Sequence, residues 1–138
     1  MKYGGLVIEK KEYVLLKRFM NLSGYYKDKT LRKSVEKLVG ELESAQIHDE
    51  ADMPEDVIRF NSTISITSEN GWKKKFKLVL PTESDVNSSK ISILTPMGAA
   101  VIGYAKGDTL IWDFPAGEQC MLIELVEQEH KYIDIDSI

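Results

Sequence analysis

The stretch from residue 90 to 127 constrains the fold of this chain more than any other part of its 138 residues. Pro96 suits the first turn of a helix, where its missing N–H has no hydrogen bond to lose. Apolar and polar residues alternate before and after Pro115-Ala116-Gly117, which predicts a strand, a turn and a second strand. A strand, a short helix and a β-hairpin therefore follow one another with few residues between them, as in a compact α+β domain.

The first fifty residues carry apolar side chains at helical spacing. From residue 8 to 22 the spacing predicts one helix, which Gly24 ends because glycine tolerates the left-handed backbone of a helix C-terminus. A second helix is predicted over residues 30–47, with Thr30 as its N-cap. Its apolar positions recur at spacings of four and three, as in a coiled-coil seam: Leu31, Val35, Leu38, Leu42 and Ala45. Residues 1–50 are therefore predicted to form an antiparallel helical hairpin, a short coiled coil.

The pattern changes after this hairpin. Pro54 disfavours a helix at Met53, and the following residues alternate with the period of two that is typical of strands. Asn70-Gly71 is a strong signal for a β-hairpin turn. Residues 51–138 are therefore predicted to form an antiparallel β-sheet domain with one short helix, and the chain as a whole is predicted to be α+β.

The charge of the chain is distributed unevenly. The net charge is −4, but residues 1–48 carry +4 and residues 49–138 carry −8. An acidic body argues against free nucleic acid as the main ligand, because each phosphate that is approached needs a compensating cation. The basic helices could still contact phosphates that another protein presents, or they could form a solvated helix pair with many lysines.

Composition also bears on location. No apolar run approaches the roughly 20 residues of a membrane helix, and the apolar run 6–8 is too short for the central segment of a signal peptide. The single cysteine, Cys120, allows no intramolecular disulfide. We expect a cytoplasmic protein without membrane contact, and the sequence leaves its oligomeric state open.

The second half of the chain carries several spaced motifs. They are Met53-Pro54 with Asp56-Val57, Asn61-Ser62, the run Thr95-Pro96-Met97-Gly98-Ala99-Ala100, Gly107-Asp108 and Pro115-Ala116-Gly117. Together they resemble the C-terminal domain of the bacterial Gre transcript-cleavage factors, and within that family the subgroup called regulator of nucleoside diphosphate kinase (Rnk). The resemblance runs from Met53 to about Gln128 and implies an FKBP-like fold for this part.

The resemblance also implies RNA polymerase as the partner. In Gre factors the C-terminal domain docks on the rim of the secondary channel of the polymerase, and the helical hairpin points into that channel. The corresponding docking segment here is Leu94, Thr95, Pro96 and Met97. The family pattern has Asp or Asn at the position of Leu94, so an apolar contact would replace a polar one. Pro96 and Met97 equally suit helix initiation and core packing, and the sequence leaves both interpretations open.

Gre factors promote RNA cleavage by bringing acidic side chains at the hairpin tip to the polymerase magnesium, and two neighbouring carboxylates could hold a second divalent cation. The predicted tip here comprises Tyr25, Tyr26, Lys27 and Asp28, and it holds one acid, between Lys27 and Lys29. Asp28 also suits a loop or helix cap. The two tyrosines could stack on RNA bases or could cap the open end of the helix seam.

These observations predict a non-catalytic regulator that docks at the secondary channel, competes with longer factors for the same rim, and contacts nucleic acid only within the transcription complex. The alternative is a transcript-cleavage and elongation factor that acts through Asp28. A third possibility is a regulator of a nucleotide-metabolism enzyme. The sequence predicts no catalytic residue, no metal site and no cofactor. Prolyl isomerase activity, which an FKBP-like fold suggests, is disfavoured because the aromatic residues already occupy alternating core positions.

Overall fold

The structure is a computed structural model that describes residues 1–22, 24, 27–114 and 117–129. Its helices are α1 (Lys10–Leu22), α2 (Lys29–Leu42) and α3 (Pro96–Val101). Its strands are β1 (Val7–Glu9), β2 (Gln46–His48), β3 (Thr63–Ser68), β4 (Lys73–Val79), β5 (Lys90–Ser92), β6 (Thr109–Phe114) and β7 (Gly117–Glu127). We call α1 and α2 together the helical arm. Within the described residues, none of the helices combines the length and the apolarity that crossing a membrane requires.

Five strands form one sheet in the order β5-β4-β3-β7-β6. Strands β4, β3, β7 and β6 pair antiparallel with their neighbours. β5 instead runs parallel to β4, with Lys90 opposite Lys77. The predicted α+β class is confirmed, but the sheet is mixed rather than wholly antiparallel. The reason is that residues 80–89 carry the chain back along β4 before β5 begins, as a parallel pairing requires.

Strands β1 and β2 form a separate parallel pair at the base of the helical arm. β1 continues directly into α1, and the Gln46 N–H donates to the carbonyl oxygen of Leu6 at 2.8 Å. The arm therefore begins and ends at adjacent strands. Helix α2 ends at Leu42 rather than at the predicted residue 47, because residues 46–48 exchange helical hydrogen bonds for pairing with β1.

The apolar face of α2 is buried, but it is not covered by α1 alone. Val35, Leu38 and Leu42 belong to one apolar cluster that includes residues of α1, of α3 and of one sheet face, which we call the inner face. Its buried members include Ile64, Ile66, Phe76, Leu78, Met121 and Ile123. α2 packs alongside α3. The predicted short coiled coil of the two helices is therefore not confirmed: α2 also packs against α3 and the shared cluster, since helices of 13 and 14 residues are too short to be stable alone.

Helix α3 lies close against β5. A Cβ added at Gly98 would stand 2.2 Å from the carbonyl oxygen of Ser92, a separation that real atoms do not reach. Ala99 and Ala100 are also buried. The small residues of this helix therefore allow its close approach to β5. The division of the chain at residue 50 remains a prediction.

Candidate functional site

The segment predicted to dock on a partner is a tight, hydrogen-bonded entry into α3. The Thr95 hydroxyl donates to the carbonyl oxygen of Ser92 at 2.7 Å and accepts from the Gly98 N–H at 3.1 Å. Thr95 is thus the N-cap, and Pro96 occupies the first turn of the helix. These contacts hold the backbone of the segment in one conformation.

Leu94 and Met97 flank this turn with half-buried side chains. Both pack against the main apolar cluster and both retain some exposed surface. The Leu94 N–H donates to the Ser92 hydroxyl at 2.9 Å, which holds the main chain of Leu94 in place. Core packing and contact with a partner are therefore compatible at these two positions, and the geometry brings all four predicted docking residues together.

At the other candidate site, Asp28 caps α2. Its Oδ1 accepts from the Thr30 N–H at 3.0 Å and from the Leu31 N–H at 3.1 Å. The predicted N-cap Thr30 is therefore wrong, and α2 begins at Lys29. Lys27 lies exposed beside the cap. The predicted tip residues 25 and 26 lie outside the described residues.

The structure offers little for a metal ion. No group of three or more His, Cys, Asp or Glu side chains converges within residues 1–22, 24, 27–114 and 117–129. His48 lies in β2, where its Nε2 is 3.3 Å from the Oε1 of Gln46. Asp28 supplies a single carboxylate, and this carboxylate already caps the start of α2.

The sequence did not predict an ion-pair cluster at the base of the arm, which we call the Arg59 clamp (Glu12, Arg59 and Glu50). The guanidinium of Arg59 lies 3.0 and 2.6 Å from the Oε2 of Glu12, and 2.6 and 3.0 Å from the two carboxylate oxygens of Glu50. The second oxygen of Glu12 accepts from the Phe60 N–H at 3.3 Å. The clamp thus ties α1 to the chain segment that enters β3.

Burial governs the electrostatics of the clamp. Glu12 is only 3% exposed. The loss of hydration raises the pKa of its carboxyl, although the bonds from Arg59 and Phe60 act in the opposite direction. Burial alone would lower the pKa of Arg59, but its bonds to Glu50 and Glu12 outweigh this and raise it. Glu12 is therefore the member of the cluster whose charged form burial disfavours, and Arg59 stays charged.

A second set of polar contacts attaches α2 to the residues after α3. The Tyr104 hydroxyl donates to the Oε2 of Glu41 at 2.9 Å and accepts from the Lys37 ammonium at 3.4 Å. Burial and the neighbouring Glu41 carboxylate raise the pKa of Tyr104. The arm is therefore held to the body through both of its helices.

One sequence signal could have indicated the Arg59 clamp. Glu12 lies within the apolar stripe of α1, three and four residues before Leu15 and Leu16, where an unpaired charge would be costly. A charged residue in such a stripe predicts a buried partner. Its identity could not be inferred, since Arg59 lies 47 residues further along the chain.

Comparison with known proteins agrees with this architecture. Residues 53–128 match the family described as transcription elongation factor, GreA/GreB, C-terminal. The chain belongs to this family. The Escherichia coli K12 protein named regulator of nucleoside diphosphate kinase is 32% identical over 95 residues, which cover 68% of this chain and 69% of that protein. The transcription elongation factor GreA of Sphingopyxis alaskensis is 31% identical over 107 residues, which cover 75% and 68% of the two chains.

A solved structure is similar as well. The prokaryotic transcription elongation factor GreA/GreB from Nitrosomonas europaea superposes with a TM-score of 0.65 at 28% identity, and the match covers 90% of this chain and 98% of that chain. The predicted resemblance to the Gre family and to its Rnk members is therefore confirmed.

Two of the family motifs have a structural role in this GreA/GreB-family chain. Asp108 accepts from the Lys2 N–H at 2.6 Å and from the Ala105 N–H at 2.8 Å. Asp56 accepts from the Tyr3 hydroxyl at 2.7 Å and pairs with the Lys2 ammonium. Partial burial would raise the pKa of Asp56, but these two hydrogen bonds lower it. Both aspartates attach the N-terminal residues to the body.

Proposed function

We propose that this protein is an RNA polymerase-binding transcription regulator that docks at the secondary channel through its C-terminal domain. The observation that carries the proposal is the family match over residues 53–128, because that region contains the hydrogen-bonded turn Leu94–Met97. Leu94 and Met97 are half-buried on a hydrogen-bonded backbone, which loses little entropy on binding. A preformed apolar contact of this kind suits a reversible docking surface.

The same proposal assigns a geometry to each part of the chain. Residues 51–138 form the anchor, in an FKBP-like arrangement of the sheet around α3. Residues 1–50, which contain the helical arm packed on this anchor, lie at the channel mouth. At 1.5 Å per residue, α2 is roughly 21 Å long, shorter than the span that its sequence pattern predicts. The protein would therefore occupy the entrance and exclude longer factors that use the same rim, by mass action.

We further propose that the protein does not stimulate RNA cleavage. Asp28 is a single acid, and its Oδ1 caps α2 through two backbone N–H groups. The flanking cations Lys27 and Lys29 disfavour a second dication nearby. The competing candidate is a cleavage factor that acts through Asp28. Two separate observations favour it: the chain has relatives named GreA, and Asp28 is exposed.

One assay separates the two modes. Purified protein is added to arrested elongation complexes with magnesium, and the RNA 3′ ends are followed on a gel. We expect no shortening above the intrinsic rate. Shortening that is retained in Asp28→Ala would contradict both modes as stated. Shortening that is lost in Asp28→Asn would establish the cleavage mode, since asparagine still caps the helix but carries no charge.

Docking is tested by a pull-down of core RNA polymerase with the immobilised protein. The double variant Pro96→Ala, Met97→Asp should retain much less polymerase than the parent, while its circular dichroism spectrum stays nearly unchanged. Retention of a nucleotide-metabolism enzyme from lysate without polymerase subunits would instead support the third possibility, a regulator with a different main target.

A further inference from the structure

Strand β6 forms one edge of the five-stranded sheet. Among the described residues it pairs only with β7, so its other side presents unpaired backbone N–H and C=O groups. The opposite edge is different, because β5 has only three residues. Very short edge strands give little room for a further strand to pair. Of the two sheet edges, β6 is therefore the one long enough to accept another strand.

The side chains around this edge are apolar and exposed. Ile111 of β6 is 55% exposed, and Leu122 of β7 is 40% exposed. The register places Thr109 opposite Leu122 and Ile111 opposite Cys120, so these residues share the outer sheet face. An exposed edge strand with apolar side chains favours pairing with a further strand.

β6 also lacks the features that usually protect an edge strand. Its sequence, TLIWDF, contains no proline, no glycine and no lysine. Its one charged residue is Asp113, which lies 3.8 Å from the ammonium of Lys33 on α2. The nearby cation offsets the single charge that could repel an incoming strand.

We infer that β6 pairs antiparallel with β6 of a second copy of this chain, about a two-fold axis near Ile111. In the register that places Ile111 opposite its counterpart, each Asp113 faces Thr109 of the other copy, so no like charges oppose each other. The apolar strip of Ile111 and Leu122 then continues across the join. A strand is its own matched partner in a symmetric pairing, which favours a second copy over an unrelated extended peptide.

The predicted dimer is weak and reversible. A seam of one six-residue strand from each copy buries less than the roughly 1,600 Å² of a standard stable interface. The dimer should therefore form only as the protein concentration rises. It uses a surface separate from the turn Leu94–Met97, so this inference does not depend on the proposed docking to polymerase.

Sedimentation equilibrium of the full chain tests the inference. We expect the apparent mass to rise with concentration from the monomer value towards the dimer value. Ile111→Lys and Ile111→Glu should each weaken the dimer about tenfold or more, because like charges would then face each other across the axis. An equimolar mixture of the two variants should restore association, since lysine then faces glutamate.

Val86→Lys is the matched control. Val86 is 86% exposed in a one-turn helix away from β6, so the same type of substitution should leave the association unchanged. A parent protein that stays monomeric up to its solubility limit would overturn the inference. So would variants that dimerise as the parent does, or a mixture that remains monomeric while circular dichroism shows both variants folded. Association that Val86→Lys abolishes would place the interface elsewhere and overturn it as well.

Discussion

At the scale of single residues, Glu12 joins two parts of the chain although its burial costs the hydration of a carboxylate. Its carboxylate joins α1 to Arg59 and to the Phe60 N–H, and it is almost fully buried. Removing one partner of a buried ion pair leaves an uncompensated charge, whereas a neutral isostere keeps part of the hydrogen bonding. The clamp therefore contributes to the position of the arm more clearly than to net stability.

We predict that Glu12→Gln changes the pH dependence of stability. Burial raises the folded-state pKa of Glu12 above its unfolded value, so its stabilising contribution is full below the unfolded pKa and is lost as pH rises through the folded pKa. The glutamine side chain does not ionise, so the variant does not lose stability in this way as pH rises. The difference in unfolding free energy between variant and parent, from urea titrations between about pH 4 and pH 8, should therefore shift in favour of the variant as pH rises.

Glu43→Gln is the control for this series, because Glu43 is an exposed acid at the end of α2. Its difference from the parent should change much less across the same range. A Glu12→Gln difference that is constant with pH would contradict the assignment of Glu12 as a strained buried carboxyl.

Asp28 gives a second prediction at this scale. Asp28→Ala removes the acceptor for the Thr30 and Leu31 N–H groups and should lower the free energy of unfolding by about 1 kcal/mol. Asp28→Asn should cost only a few tenths of that, because its amide oxygen can accept the same bonds. Chemical denaturation measures both, and equal losses would contradict the capping role.

At the scale of elements, α3 shows what small residues achieve. It has only six residues, yet its entry is capped by Thr95 and its first turn lies against the backbone of β5. Helix α2 also packs against α3. A helix this short is stable because of its surroundings rather than its own hydrogen bonds.

Gly98→Ala tests this packing directly. The new Cβ would lie 2.2 Å from the Ser92 carbonyl oxygen, so α3 or β5 must move, and we expect a loss of about 3 kcal/mol. Gly40→Ala is the matched control, because no atom lies within 4 Å of a Cβ at this position in α2. There the higher helix propensity of alanine should stabilise the protein by about 0.5–1 kcal/mol. Similar effects of the two changes on thermal unfolding would contradict the close approach.

The elements also show which features the sequence could predict. The end of α1 and the β6–β7 pairing depend on local signals, namely helical spacing and period-two alternation, and both were predicted. The early end of α2 was missed because residues 46–48 pair with β1, some 39 positions away in the chain. The Arg59 clamp was missed for the same reason. The start of α3 was predicted because Pro96 suits the first turn of a helix, whereas the Thr95 cap was not predicted.

At the scale of the whole molecule, the arm and the sheet share one apolar cluster. Leu38 on α2 and Ile66 on β3 are both buried within it. Helices that depend on a shared core gain their stability from that core, so they should not melt before it. This coupling would allow the arm to keep its position when the domain beneath it is held by a partner.

We therefore predict that Leu38→Ala lowers the stability of the entire chain. The loss should be about 2–5 kcal/mol, the range for a buried leucine. Hydrogen exchange should show weaker protection in β3 and β7 as well as in α2. Leu22→Ala, at a side chain that is 76% exposed, is the control and should have little effect. Exchange that increases in α2 alone would show that the arm folds independently.

We propose that this protein occupies the entrance of the secondary channel of RNA polymerase without stimulating cleavage of the transcript. The most direct measurement is a competition in which the protein is titrated into arrested elongation complexes that contain a fixed amount of a GreA factor. We expect GreA-stimulated cleavage to fall towards the intrinsic rate as the protein is added. Cleavage that stays at the GreA-stimulated level at a large molar excess of the folded protein would contradict it.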